Sequence, residues 1–126
     1  MISTGELERL YSGLSVLVST AADGAPCAAL AGFRGLELLL ERDLAARARE
    51  PDATPVLASE GRETFARSLA ELRDTALELE QLKLYACSAS VETMELTTSQ
   101  VEEWLDGVMS TPRFLRETAG ARLIFV

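Results

Sequence analysis

The sequence contains no histidine and only two cysteines among its 126 residues. Without histidine, one chain cannot build a Ser-His-Asp triad, a Cys-His dyad, an HExxH zinc site or a histidine pH switch. The cysteines, Cys27 and Cys87, are too far apart in sequence for a CxxC redox pair and match no zinc ligand pattern. These absences exclude most hydrolase mechanisms, and we predict neither a metal nor a cofactor.

Basic residues are also scarce, since 12 Lys and Arg face 20 Asp and Glu and give a net charge of −8. General nucleic-acid binding is therefore not expected, because a phosphate backbone needs a basic surface. The leucine-rich segment 36–40 is far too short to span a bilayer. No basic region precedes an apolar run near residue 1, so no secretory signal is predicted. These features predict a cytoplasmic protein that binds neither membranes nor nucleic acid.

Length and composition favour a single folded unit. A chain of 126 residues is long enough to bury a core without disulfides or metals. Its 48% hydrophobic and 25% charged residues are typical of a globular protein. We therefore predict one domain covering residues 1–126.

The first quarter of the chain predicts a short helix and a strand. The capping-box spacing of Ser3 and Glu6 indicates an amphipathic helix over residues 3–11. Residues 14–19 form a short run with β-branched side chains and predict a buried first strand. Because ligands collect at the carboxyl ends of strands in open α/β sheets, the following loop, residues 20–25, is the first candidate wall of a site.

The next segment allows two interpretations. Residues 26–48 predict a helix that begins at Pro26, because Ala29, Phe33 and Leu36 recur at helical spacing. A strand over residues 28–33 is the alternative. The remaining predicted elements are an edge strand at 56–58, a helix at 59–79, a strand at 82–86, a turn or short helix at 88–94, a helix at 97–108, a helix from Thr111, as N-cap, to Gly120, and a last strand at 122–126. This alternation predicts a three-layer α/β/α sandwich with a mostly parallel sheet.

The strand at 82–86 leads directly into a cysteine and a run of small hydroxylated residues. Amides at a helix start favour a thiolate, and the hydroxyls of Ser88 and Ser90 are further donors to the sulfur of Cys87. The alternative is structural, because free cysteine is often buried and serine commonly caps helices. Phosphatase-like and rhodanese-like loops carry an arginine five or six residues after the cysteine, where this chain has Glu92 and Thr93, so both are excluded.

Several segments resemble one known family. The features are a strand that ends in Ala86-Cys87, a hydroxyl residue three positions later at Ser90, a Leu-Asp-Gly-Val segment at 105–108 and a closing apolar strand at 121–126. These residues, together with Phe114-Leu115, resemble the C-terminal half of the DsrE/DsrF/DsrH-like proteins. The similarity covers about forty-five residues, and the first half agrees in outline as strand, loop and helix.

The resemblance implies a fold, an assembly and a chemistry. It implies an α/β/α domain with a parallel sheet, assembled into homo-oligomers such as trimers or hexamers. Cys87 matches the position that carries a persulfide in the sulfur-relay members, and Ser90 matches the small or hydroxyl position after it. The function implied is a sulfurtransferase-like carrier that exchanges sulfur with donor and acceptor proteins.

Two other functions are compatible with the sequence. One is a non-catalytic oligomeric binding or scaffold domain in which Cys87 is structural. The sequence therefore allows both an enzyme and a protein without catalytic activity. The other is a small-molecule or nucleotide-binding domain, which is less favoured because GxGxxG and P-loop signatures are absent.

Cys27 has a similar pair of interpretations. It is either a buried small residue or a resolving thiol for Cys87. A disulfide between the two would require Cα atoms within about 7 Å.

Overall fold

The computed structural model describes residues 1–126 and contains seven helices and three strands. In chain order they are α1 (Leu7–Ala22), β1 (Cys27–Ala31), α2 (Phe33–Leu40), α3 (Leu44–Arg49), α4 (Ser59–Glu78), β2 (Leu82–Cys87), α5 (Ser88–Thr93), α6 (Thr98–Glu102), β3 (Gly107–Met109) and α7 (Thr111–Glu117). None of these helices combines the length and apolar character needed to cross a bilayer.

The three strands form a parallel sheet in the order β1, β2, β3. Cys27 lies beside Leu82 at one end of the β1–β2 ladder, and Cys87 lies beside Met109 in the β2–β3 ladder. Because all strands run the same way, their carboxyl ends meet at one edge of the sheet. The predicted α/β class and parallel sheet are confirmed.

Residue Ile2 extends the sheet beyond β1. The Ile2 N–H donates to the Leu30 carbonyl and the Gly32 N–H donates to the Ile2 carbonyl, both at 2.9 Å. This pattern is a parallel bridge between Ile2 and Ala31. The amino-terminal residues thus cover only the last part of the free side of β1.

The end of the chain continues this edge through Val126. The Val126 N–H donates to the Met1 carbonyl at 2.9 Å, and the Ser3 N–H donates to the Val126 carbonyl at 2.7 Å. The predicted strand at 122–126 is otherwise not formed. Residues 122–125 are exposed and Val126 is half-buried. The segment lies at the outer edge of the sheet, and no strand on its other side pairs with it.

The side chains of the sheet alternate between two apolar clusters. Leu84 and Ala86 of β2 point into the main core, which α1 and α4 cover. Cys87 points to the other face, where it packs in a smaller cluster with Leu30, Met109 and Phe114. The two faces of β2 differ because neighbouring strand residues point in opposite directions. Cys87 therefore lies on the thinly covered face, under Phe114 of α7.

The predicted strand at 14–19 is wrong, because these residues belong to α1. Leu7, Leu10 and Leu14 are buried at helical spacing along one face, whereas Val16 is 49% exposed. A buried strand would have shielded every residue of 14–19 from solvent. The helical spacing of buried leucines instead begins before residue 14 and includes it. The predicted helix at 3–11 is the first part of the same element.

The predicted helix at 26–48 is also wrong in its first part. Residues Cys27–Ala31 form β1, as the alternative interpretation had it, and the helices α2 and α3 follow. Ala29, Leu30 and Ala31 are all buried because both faces of the strand are covered. A short apolar run of this kind fits a central strand as well as a helix, and pairing with β2 decides between them.

The second half of the chain follows the prediction more closely. The helix α4, the strand β2 and the short helix α5 are found where they were expected. The strand predicted at 56–58 is absent, and Val56 is 80% exposed in a series of turns.

Two further boundaries differ from the prediction near the carboxyl end. The segment 97–108 divides into α6 and β3, and Gly107 at φ +149° supports this change of direction. Ser110, not Thr111, caps α7, since the Ser110 hydroxyl accepts the Arg113 N–H at 3.3 Å. The helix ends at Glu117, before Gly120.

Candidate functional site

Three connections converge on Cys87 at the carboxyl edge of the sheet. Gly32 and Phe33 follow β1, Cys87 itself ends β2, and Thr111 lies just after β3. The Cys87 Sγ is 3.9 Å from the Thr111 Oγ1, within hydrogen-bond range for sulfur. The Phe33 N–H donates to the hydroxyl of Ser90, three residues after the cysteine, at 3.0 Å. Each strand of the sheet therefore contributes to one cluster.

Cys87 stands at the junction between β2 and α5. Its backbone is extended, with φ −66° and ψ 125°, and it occupies the N-cap position of α5. The first amides of a helix have no carbonyl partner within the helix. Those at the start of α5 lie beside Cys87, although its side chain forms no capping hydrogen bond with them. The residue is 9% exposed, so the sulfur is nearly but not wholly shielded from solvent.

Opposing influences act on the pKa of the Cys87 thiol. Burial raises the pKa, because a thiolate loses solvation inside the protein. The backbone amides of Ser90 and Ala89 and the hydroxyls of Thr111 and Ser90 lower it by donating to the thiolate. The donors together outweigh burial, and the pKa lies below that of an ordinary thiol. The site therefore favours the nucleophilic form of the sulfur.

Ser90 links the cysteine to the turn after β1. Its side chain is fully buried and accepts the Phe33 N–H, and its hydroxyl proton is free to face Cys87. One hydroxyl can do both, since it has one donor and two acceptor lone pairs. Gly32 permits this approach: a Cβ at that position would lie 3.1 Å from the Ser90 Oγ and 3.7 Å from the Cys87 Cβ.

Phe33 has a strained backbone beside this cluster. Its φ of +46° is in the left-handed region, which non-glycine residues rarely adopt, and its side chain is 55% exposed. Strain of this kind costs about 1–3 kcal/mol and persists only where neighbouring contacts impose it. Here the hydrogen bond to Ser90 holds the Phe33 N–H. The turn is thus fixed against the cysteine and leaves an aromatic side chain open to solvent.

Cys87 and Ser90, both singled out from the sequence, lie three residues apart where β2 meets α5, and the Ser90 hydroxyl accepts the Phe33 N–H. Ser88 lies next to the cysteine at the start of α5, but its half-buried hydroxyl forms no hydrogen bond. Gly32, Phe33 and Thr111 were not identified as site residues from the sequence. The first two were assigned to a helix interior and the third to a helix cap, and only the pairing of β1 and β3 with β2 places them here.

The structure does not bring Cys27 near Cys87. Cys27 pairs with Leu82, five residues before Cys87 along β2, which corresponds to about 16 Å along the strand. The candidate role of Cys27 as a resolving thiol within one chain is therefore wrong, since a disulfide needs Cα atoms within about 7 Å. Burial also raises the pKa of the Cys27 thiol, which disfavours its thiolate. The loop 20–25 lies at this amino end too, so it does not wall the Cys87 site.

The chemistry available at this cluster is that of a single activated thiol. No group of three or more His, Cys, Asp or Glu side chains is arranged to hold a metal ion. The donors around Cys87 are neutral amides and hydroxyls, which suit a thiolate or another anionic sulfur species. Comparison with known proteins gives no matching family model and no match among curated proteins.

Proposed function

We propose that Cys87 is the sulfur-carrying residue of a sulfurtransferase-like relay protein. The observation that carries the proposal is the position of the Cys87 sulfur at the start of α5 and 3.9 Å from the Thr111 hydroxyl, in surroundings of neutral amides and hydroxyls that lower the pKa of the thiol. A buried structural cysteine needs no such donors, because a thiol is only a weak hydrogen-bond acceptor. Such donors are of use to a group that bears negative charge, either the thiolate or a deprotonated persulfide.

The proposed reaction consists of two exchanges at the same sulfur. In the first, the Cys87 thiolate attacks the outer sulfur of a donor persulfide, R–S–SH. A bond forms between the Cys87 Sγ and that sulfur, the donor S–S bond breaks, and R–S⁻ leaves, so that Cys87 becomes Cys87–S–SH. In the second, an acceptor thiolate attacks the outer sulfur and Cys87 leaves as the thiolate. Neither exchange needs an external oxidant or reductant.

The surroundings of Cys87 suit both steps. The thiolate is the attacking group in the first exchange and the leaving group in the second, and a lowered pKa favours its departure. Only 9% of the residue is exposed, so a donor or acceptor must approach along the edge formed by the three strand ends. Phe33 is the exposed apolar residue at that edge. We propose it as a contact for the approaching protein.

We also propose that the chain is a cytoplasmic relative of the DsrE/DsrF/DsrH-like proteins and forms a homo-oligomer, a trimer or a hexamer. The parallel sheet supports this relationship, as does the position of Ala86-Cys87 at the end of a central strand with Ser90 three residues later. The absence of a strand at 122–126 is a departure from that pattern. Native mass measured by light scattering tests the oligomer, and a monomer at all concentrations would contradict it.

The relay function is tested by the intact mass of a Cys27→Ser protein after incubation with inorganic polysulfide. This background leaves Cys87 as the one reactive thiol, and the Cys27→Ser, Cys87→Ser double variant is the matched control. We expect a gain of one sulfur atom, its removal by an acceptor thiol, and neither change in the control. An unchanged mass, with the protein folded and Cys87 reduced, would contradict the proposal.

A non-catalytic scaffold is the second candidate function, and the packing of Cys87 favours it. The residue contacts the apolar cluster of Leu30, Met109 and Phe114. In that case Cys87 acts as a small apolar side chain. A Cys87→Ala variant would then lose stability, and the parent protein would take up no sulfur from polysulfide.

A further inference from the structure

A large groove lies at the opposite end of β1 from the Cys87 site. It runs between α1, the first residues of β1, the end of α7 and residues 119–126, and its volume is about 740 Å³. Pockets that hold small organic ligands have volumes of about 300–1,000 Å³. The groove is thus large enough for a ligand, and of the buried apolar residues clustered around Cys87 it shares only Phe114.

The walls of the groove are apolar and accessible. Val16 of α1 is 49% exposed, Leu115 of α7 is 45% exposed, and Leu123 and Ile124 are 46% and 47% exposed. These four are a majority of the large hydrophobic side chains that the whole surface exposes. Their grouping around one groove differs from the scattered apolar residues of an ordinary surface and marks a binding face.

The floor of the groove includes an open side of the sheet. The Leu30 carbonyl and the Gly32 N–H face Ile2, so the N–H and carbonyl of Ala28 point to the same side. Ile2 does not reach that far, and Ala28 lines the groove. At the other side Gly13 allows close contact, since a Cβ there would lie 2.7 Å from the Val126 Cγ2. The floor therefore offers backbone polar groups within apolar walls.

The charge of the groove is unlike that of the rest of the molecule. About one residue in six of the chain is Asp or Glu, yet no acidic residue lines the groove. Arg122 is the one charged side chain among the lining residues, and it forms no ion pair or hydrogen bond with any other side chain. The Met1 ammonium is a second positive group on a lining residue, and it donates to the Ile124 carbonyl at 2.7 Å. In a protein with a net charge of −8, the groove is therefore apolar with positive groups, of which only the Arg122 guanidinium has no side-chain or backbone partner.

We propose that the groove binds an amphipathic monoanion, namely a carboxylate with a long aliphatic tail. The tail lies on Val16, Leu115 and Ile124, where it removes apolar surface from water. The carboxylate pairs with the Arg122 guanidinium, whose planar donors match a carboxylate. An acidic side chain at the groove would repel such a ligand, and the lining has none. The site is independent of the function proposed for Cys87.

The binding experiment compares three probes by titration calorimetry at concentrations below micelle formation. They are dodecanoate, butanoate and dodecyltrimethylammonium. We expect dodecanoate to bind, butanoate to bind at least ten-fold more weakly because its tail is short, and the cation to bind at least ten-fold more weakly because Arg122 repels it. Equal binding of anion and cation, or no binding of dodecanoate, would overturn the proposal.

Two variants locate the site. Arg122→Gln removes the cation at an exposed position, and we expect it to weaken dodecanoate binding about two- to five-fold. Arg116→Gln is the matched control, because Arg116 is exposed on α7 and does not line the groove. Val16→Asp places a negative charge on the wall and is expected to abolish binding. Equal effects of Arg122→Gln and Arg116→Gln would contradict the assignment.

Cys27 provides a direct readout, because it lines the same groove. In a Cys87→Ser protein we expect dodecanoate to slow alkylation of Cys27, and butanoate to leave it unchanged. A second copy of the chain is the competing occupant. If a second copy occupied the groove, the protein would self-associate, Val16→Asp would dissociate it, and dodecanoate would not protect Cys27 from alkylation. These three results together would overturn the proposal.

Discussion

Replacing Ser90 with alanine tests how the Cys87 site is held together. The Ser90 hydroxyl is fully buried and accepts the Phe33 N–H at 3.0 Å. In Ser90→Ala this amide loses its partner, and no other acceptor is bonded to it. Losing a part-buried hydrogen bond of this kind costs about 0.5–1.5 kcal/mol. We expect the free energy of unfolding to fall by that amount, because the cavity left by one oxygen is too small to hold water.

The same substitution should change the chemistry of Cys87. The Ser90 hydroxyl is one of the donors that lower the pKa of the thiol, and burial, which raises it, is unchanged in the variant. We therefore expect a higher thiol pKa and slower alkylation at neutral pH. The loss is partial, because the amides of Ala89 and Ser90 and the Thr111 hydroxyl still donate.

Ser88→Ala is the matched control for this experiment. Ser88 lies two residues earlier on the same helix, and its hydroxyl forms no hydrogen bond. We expect its effect on stability to stay within about 0.5 kcal/mol. Urea denaturation gives the free energy of unfolding, and the rate of alkylation against pH gives the thiol pKa. If Ser90→Ala were as mild as Ser88→Ala in both assays, the proposed role of the hydroxyl would be refuted.

Three further predictions follow from the same structure. First, folding lowers the pKa of Cys87, so a Cys27→Ser protein should gain stability as pH rises from the folded pKa to the unfolded pKa of about 8.5. The gain is lost as pH falls through the folded pKa. Urea denaturation measures it, and a protein that also carries Cys87→Ser should lack it. Second, Thr111→Val should raise the pKa of Cys87 with little loss of stability, because the contact with Sγ at 3.9 Å is long; an unchanged alkylation profile would contradict it. Third, Arg73→Met should lower the free energy of unfolding by about 2–4 kcal/mol, because the buried Arg73 donates to the carbonyls of Leu39 and Glu41; thermal and urea denaturation measure this, and a change below about 0.5 kcal/mol would contradict it.

The parts of the fold that the sequence predicted are those with locally encoded signals. The helix α4 has a long amphipathic pattern, and β2 is a short apolar strand followed at once by hydroxylated residues. The helix predicted from residue 97 does begin there, with Thr97 as its N-cap and a capping box between Thr97 and Gln100 at the start of α6. Cys87 and Ser90 could be found for the same reason, since they lie three residues apart on one connection.

The parts that could not be predicted depend on pairing between distant segments. Cys27–Ala31 is apolar throughout and fits either period, so its strand form is decided by β2, more than fifty residues away. β3 has only three residues, and its pairing with the end of β2 defines it. Gly32, Phe33 and Thr111 reach the site through these pairings alone, which is why sequence patterns missed them.

The most direct test of the central claim is the pH dependence of Cys87 alkylation in a Cys27→Ser protein, measured in the folded state and again in denaturant. The Cys27→Ser, Cys87→Ser protein gives the background. Because the amides of Ser90 and Ala89 and the hydroxyls of Thr111 and Ser90 favour the thiolate more than burial disfavours it, we expect the folded protein to give a lower thiol pKa than the unfolded one. A folded pKa equal to or above the unfolded value would contradict an activated thiol and leave Cys87 as a packing residue.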